Sequence, residues 1–158
     1  VGVLLFYTFI FEKTILIIKI HKRMKFKTIN GSTAELKNAK RYLIKWRGKS
    51  RSKFQLSVKQ FLLPFWKNDI VFEEFKLVGT RLSLDFYNAN KKIAIEVQGS
   101  QHTKYVEFFH GNRFQYLQQL KRDEKKLKFC EVNNITLVEI YPKDKIDEEL
   151  FLSFGVIL

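Results

Sequence analysis

Residues 82–99, LSLDFYNANKKIAIEVQG, decide the fold. Apolar and polar residues alternate at both ends of this stretch, and Asn88-Ala89-Asn90-Lys91 between them has the composition of a tight hairpin loop. Strict alternation places Leu82, Leu84 and Phe86 on one face of the first strand and Ser83, Asp85 and Tyr87 on the other. In the second strand Ile93, Ile95 and Val97 face the core, with Ala94, Glu96 and Gln98 on the opposite side. With the loop centred on Asn90-Lys91, Asp85 lies directly opposite Glu96, and a slip of two residues still leaves them diagonal neighbours. Two carboxylates therefore converge on one face of an apolar strand pair, which is costly unless they share a cation or a proton. A hard divalent cation such as Mg²⁺ suits such a pair, because it takes oxygen ligands, typically one or two carboxylates with water and a phosphate.

Before this pair, Ile70–Leu77 reads as a strand and Gly79-Thr80 as a turn, so a three-stranded meander spans residues 70–98. Gly99–Asn112 is polar and aromatic with little regular pattern. Arg113–Val132 then reads as a long helix with Leu117, Leu120, Leu127 and Cys130 near one face, ended by Asn133-Asn134. A strand at Ile135–Tyr141 and a short helix around Asp147–Phe154 complete the chain. Before the meander, Ser32-Thr33-Ala34-Glu35 has the spacing of a capping box. It predicts a helix to about Trp46 with Leu36, Ala39, Leu43 and Trp46 on one face. A second helix, from about Ser52 to Phe65, is interrupted near its end by Pro64. The expected class is α/β (α+β).

The 158 residues carry 29 Lys and Arg against 16 Asp and Glu, for a net charge of +13. This length supports one sizeable domain, and the abundance of Phe, Leu, Ile and Val excludes disorder as the main state. Ten of the cations and none of the acids fall between residues 36 and 67. A charge run is usually a solvated face, but unpaired cations at this density repel one another without a polyanion, so the segment is expected to contact nucleic acid. The candidates are Lys40, Arg41, Lys45, Arg47, Lys49, Arg51 and Lys53. Cys130, alone of its kind, excludes a disulfide framework and a four-cysteine zinc site, and fits a reducing compartment, the cytoplasm. In residues 1–20, Glu12 and Lys13 split the apolar runs below the length of a spanning helix. Because Met24 opens a well-behaved sequence, residues 1–23 are read as translation upstream of the start, ahead of an anchor or a core strand. The organisation expected is therefore a basic helical region at 24–66 and a core at 67–158 that packs with 52–66, with no membrane partner.

The order helix, three strands, helix, strand, with Asp85 on the second strand and Glu96-x-Gln98 on the third, resembles the PD-(D/E)xK nuclease superfamily. The run IAIEVQGSQH, followed by Asp123-Glu124-Lys125-Lys126 and then ITLVEIY, is similar to the branch around very-short-patch-repair endonucleases and related phage homing endonucleases. The resemblance covers roughly Ser52–Tyr141 and implies a restriction-endonuclease-like core. It implies that Asp85 and Glu96 are ligands of Mg²⁺, with Mn²⁺ able to substitute and the backbone carbonyl of Val97 a further ligand. Gln98 stands where the family often has lysine; it can orient water but supplies neither proton nor charge. His102 then becomes the candidate for proton transfer, since histidine titrates near neutrality, against a loop histidine bonded to backbone. Asp123 would orient His102 or a water, and Lys126, one helical turn on, would touch phosphate; a plain surface ion pair between the two is the alternative. The acid some members carry on the first helix is absent here, with Gln55, Glu73 or Glu74 as replacements. The zinc of the repair enzymes is not expected, although His102, His110 and Cys130 are present.

Tyr105, Phe108, Phe109 and Phe114 either wedge between bases or pack on the long helix, with packing favoured for Phe114. The implied activity is hydrolysis of phosphodiester bonds in double-stranded DNA by a Mg²⁺-dependent endonuclease. A non-catalytic nucleic-acid-binding module on the same fold is the alternative, and a membrane-surface protein is a third reading. A homodimer cutting both strands and a single chain nicking one are both open.

Overall fold

The computed structural model describes residues 23–99 and 113–158. Strands β1 (Met24–Lys27) and β2 (Thr33–Leu36) form an antiparallel hairpin, followed by a 3-10 turn at Ala39–Tyr42 and helix α1 (Lys53–Trp66). The meander β3 (Val71–Lys76), β4 (Ser83–Asn88) and β5 (Ile93–Val97) leads to the long helix α2 (Arg113–Val132), strand β6 (Thr136–Ile140) and helix α3 (Glu148–Ser153). The main sheet has the order β3-β4-β5-β6, antiparallel except for the parallel pair β5–β6 that α2 connects. The class is mixed α and β, as the sequence implies.

Each face of this sheet carries a separate core. On one side Val58, Leu62 and Trp66 of α1 and Phe151 of α3 cover Val71, Phe86, Ile93, Ile95, Val138 and Ile140. On the other, Phe129 and Cys130 of α2, with Met24, Phe26 and Leu36 of the small hairpin, cover Phe72, Phe75, Leu84, Tyr87 and Ala94. The face of β5 read as polar is therefore packed, and Ala94 and Glu96 are buried on it. Of the helix residues assigned to one face of α2, only Cys130 is buried; Leu117, Leu120 and Leu127 are exposed, and Phe114 is 72 % exposed rather than packed.

Three local expectations change. The capping-box helix is absent, and its first half is β2. Ser32 sits instead in a tight turn, its carbonyl accepting from the Thr28 amide at 2.7 Å and its hydroxyl bonded to that of Thr28 at 2.8 Å, while Gly31 takes the left-handed φ of +83° that the turn requires. The alternating burial of β1 then lays Phe26 against Phe75, Tyr87 and Phe129. The basic helical extension of 24–66 is thus a hairpin, a 3-10 turn and an irregular basic loop before α1. Helix α1 starts as expected, Ser52 capping it by accepting from the Gln55 amide at 3.0 Å, but it passes through Pro64 to Trp66. Proline lacks one amide proton, and in a final turn that loss leaves the helix otherwise intact. Residues 1–22, together with His102, Tyr105, Phe108, Phe109 and His110, lie outside the described residues.

Among the described residues, no helix is long and apolar enough to cross a membrane.

Candidate metal and nucleic-acid site

Strands β4 and β5 pair as Phe86↔Ile95, Tyr87↔Ala94 and Asn88↔Ile93, a register that carries Asp85 opposite Glu96. The ladder stops one step short of them, and the side chains take over its hydrogen bonds. The Asp85 amide donates to Glu96 Oε1 at 3.1 Å, and the Val97 amide donates to Asp85 Oδ2 at 2.7 Å. The two carboxylates are thus locked together by main chain. Lys126 reaches down from α2 and donates to Glu96 Oε2 from a position only 17 % exposed.

Burial is the main influence on this pair. It raises the pKa of Glu96 from 4.5 to about 8, with the neighbouring charge of Asp85 adding to the rise and the Lys126 ammonium opposing it. Asp85 is raised as well, chiefly by burial, against the Val97 amide and Lys126, which favour its charged form. Cys130, beneath them, has its thiol pushed up to about 12 by burial first and by Glu96 second. Lys126 and Arg51 both favour the charged form of Asp85, but burial outweighs them, and the pair is held on the side of its protonated form.

Strand β3 adds acids from the side. Glu74 adopts a left-handed φ of +53° inside the strand, a conformation costly for a residue with a side chain. The break in alternation there lets Phe72 and Phe75 join the same core, and its partner strand breaks too, since Leu84 and Phe86 enter opposite cores. Asp85 is the residue between them. Glu74 Oε1 accepts from Gln55 Nε2 at 3.2 Å, Oε2 accepts from the Ser83 hydroxyl at 3.3 Å, and Arg51 forms an ion pair with it at 3.5 Å. Its charge also raises the Asp85 pKa. Gln55, buried at the start of α1, thus binds the β3 acids.

The basic segment borders this cluster. Arg41, Lys45, Lys49 and Arg51 line an open cleft of about 280 Å³ with Tyr42, and Glu73 and Glu74 form part of its wall. Lys40, Arg41, Lys45, Arg47, Lys49, Arg51 and Lys53 are all exposed. One cation of the run is not. Lys59 is fully buried and paired with Glu73 Oε2 at 2.7 Å. The repulsion expected of ten unpaired cations is therefore overstated, with Arg51 and Lys59 both matched to acids of β3.

The remaining assignments divide. Gln98 is buried and its amide donates to Glu139 Oε1 at 3.1 Å, so a partner in β6 fixes its orientation. Val97 contributes its amide to Asp85. Asp123 is half-buried on α2 and, after burial and Glu139, adds to the rise in the Tyr141 pKa, while Lys126 pairs with Glu96 rather than with Asp123. Sequence reasoning gave no role to Lys59, Ser50 or Ser83. The Glu73-Glu74 doublet inside a strand was the available signal, because adjacent acids in a covered sheet demand partners.

Among the described residues, no group of three or more His, Cys, Asp or Glu side chains is arranged to hold a metal ion. The donor set still suits a hard cation: two buried carboxylates with raised pKa values, a number Mg²⁺ completes with water and phosphate oxygens. Lys126 holds one of those oxygens.

No family model matches the chain, and no solved structure does. The chain is similar to three viral proteins: it is 39% identical over 59 residues to uncharacterized protein 307L of Invertebrate iridescent virus 6, covering 37% of this chain and 30% of that protein. It is 32% identical over 80 residues to uncharacterized protein 033L of Invertebrate iridescent virus 3, 51% and 41% of the two chains. It is 43% identical over 63 residues to uncharacterized protein 094L of Frog virus 3, 39% and 41% of the two. In each case the match spans less than half the length of the viral protein.

Proposed function

We propose that the chain is a metal-dependent DNA endonuclease on a restriction-endonuclease-like core, with Asp85 and Glu96 as the carboxylates that hold Mg²⁺. The observation that carries the reading is the pair itself: two buried, main-chain-locked carboxylates beside a cleft lined by four exposed cations. Mg²⁺ would lower the pKa of a bound water and neutralise charge developing on the phosphate. The protein's own part is placement. Arg41, Lys45, Lys49 and Arg51 bind the nucleic-acid backbone in the cleft, and Lys126, once off Glu96, offers its ammonium to a phosphate oxygen. Gln98, held by Glu139, orients water, and His102 is retained as the candidate for proton transfer.

The test is relaxation of supercoiled plasmid with Mg²⁺ or Mn²⁺. Asp85→Ala and Glu96→Ala are each expected to reduce the rate by at least about a hundredfold, the scale on which single charge-stabilising groups act. Rates within a few-fold of wild type remove both residues from the site.

The Lys126–Glu96 pair favours a second reading, a nucleic-acid-binding module without hydrolysis, because an internal cation already compensates one carboxylate. Calorimetric titration with Mn²⁺ separates the two. The nuclease reading expects binding that Asp85→Asn abolishes, and the binding module expects none in either protein.

A further inference from the structure

Lys59 is the most completely buried cation among the described residues, and the proposed chemistry does not use it. Its ammonium donates to Glu73 Oε2 at 2.7 Å and to the Gly48 carbonyl at 3.3 Å. Glu73 Oε1 in turn accepts from the Ser50 hydroxyl at 2.6 Å and, at 3.5 Å, from Gln55 Nε2. One buried ion pair therefore grips the basic loop at two points, Gly48 and Ser50, and next to it Glu74 takes Arg51. The residues between and beside these anchors, Arg47, Lys49 and Arg51, are the exposed cations. A buried ammonium needs several partners to offset its desolvation, and here the loop backbone supplies one of them. The loop and the pair thus depend on each other.

We propose that the Lys59–Glu73 pair is a positioning device that holds residues 47–51 as a fixed phosphate-binding array on the wall of the cleft. This rests on the nucleic-acid reading given above. A free cationic loop would lose side-chain and backbone entropy each time it bound a phosphate; an anchored one has already lost it. The pair contributes no net charge to the surface. Its effect on binding comes through geometry alone.

The double variant Lys59→Met with Glu73→Gln tests this, because it removes one positive and one negative charge and leaves net charge unchanged. Binding to a duplex of about 30 base pairs is measured across a salt series, with far-UV circular dichroism as the check on folding and the net-neutral double variant Lys128→Gln with Glu131→Gln as the control. The Lys59/Glu73 variant is expected to bind about tenfold more weakly. Its slope of log K against log salt is expected to fall in magnitude by about one to two, the loss of one or two phosphate contacts. Trypsin should also cut it faster than wild type at Arg47, Lys49 or Arg51. Unchanged affinity and slope in a folded variant, with wild type binding normally, overturn the proposal alone. Absence of duplex binding by wild type overturns the nucleic-acid reading and this proposal together. If the double variant fails to fold, Ser50→Ala takes its place. It removes one anchor without touching the ion pair, and should weaken binding and speed tryptic cleavage in the same direction, unchanged values again refuting the proposal.

Discussion

Replacing Glu96 by glutamine should make the metal-free protein more stable at alkaline pH, although it deletes a buried ion pair. The folded protein holds the Glu96 proton to about pH 8, whereas the unfolded chain releases it near 4.5. Between those values the native state binds more protons than the unfolded state, so this group makes stability fall as pH rises. At about 1.4 kcal/mol per pKa unit, a carboxyl displaced from 4.5 to about 8 costs the folded state about 5 kcal/mol once fully ionised. Asp85, raised in the same direction, adds to the trend. Glutamine keeps the shape, and its carbonyl can still accept from the Asp85 amide. Lys126 loses its anion, but at 17 % exposure it retains contact with water. The assay is urea unfolding in EDTA at half-unit intervals from pH 5 to 9. The stability of Glu96→Gln minus that of wild type should climb by about 2–5 kcal/mol across this range, the upper figure being the whole Glu96 displacement. A difference flat to within about 0.5 kcal/mol, near the scatter of extrapolated unfolding free energies, would refute the reasoning.

Other outcomes follow from the same geometry. Lys49→Gln should reduce the slope of log K against log salt by about one, for one lost phosphate contact, and weaken binding to all duplex sequences alike in filter-binding or anisotropy titrations. Cys130, buried and with its thiol pushed up to about 12, should remain unmodified by a disulfide reagent at pH 8 until urea unfolds the protein. Ser52→Ala removes the cap of α1 and should lower the unfolding free energy by about 1 kcal/mol in a denaturant titration.

The meander and the convergence of Asp85 with Glu96 could be read from sequence because period-two alternation and a hairpin loop are local signals, and the register they imply is the one formed. The capping-box helix failed for a reason of equal locality. The same four residues serve as a turn and strand start once Gly31 supplies a left-handed residue and β1 offers a pairing edge. Strict alternation failed at Glu74 and Asp85, where both strands change phase together, and no residue type there announces it. The partners of the buried ions were the least legible. Lys59 read as a member of a cationic stretch and Lys126 as a phosphate contact or a partner of Asp123, and only the packing of α1 and α2 on the two faces brings each to its acid.

The connection between β5 and β6 bears on how the site comes into being. Parallel pairing obliges the chain to leave the sheet, run through α2 and return, so β6 and Lys126 arrive across a long loop, while β3, β4 and β5 close across short ones. Short closures come first. Asp85 and Glu96 therefore meet before their ammonium partner is in place, and an early chain with only the meander formed holds two acids together with nothing to balance them. Protonation, which the folded site tolerates up to unusually high pH, is the nearest remedy. Docking of α2 both buries the pair and brings Lys126 to it, and because burial outweighs the ammonium, the step leaves Glu96 holding a proton to about pH 8; acid conditions should thus favour that docking.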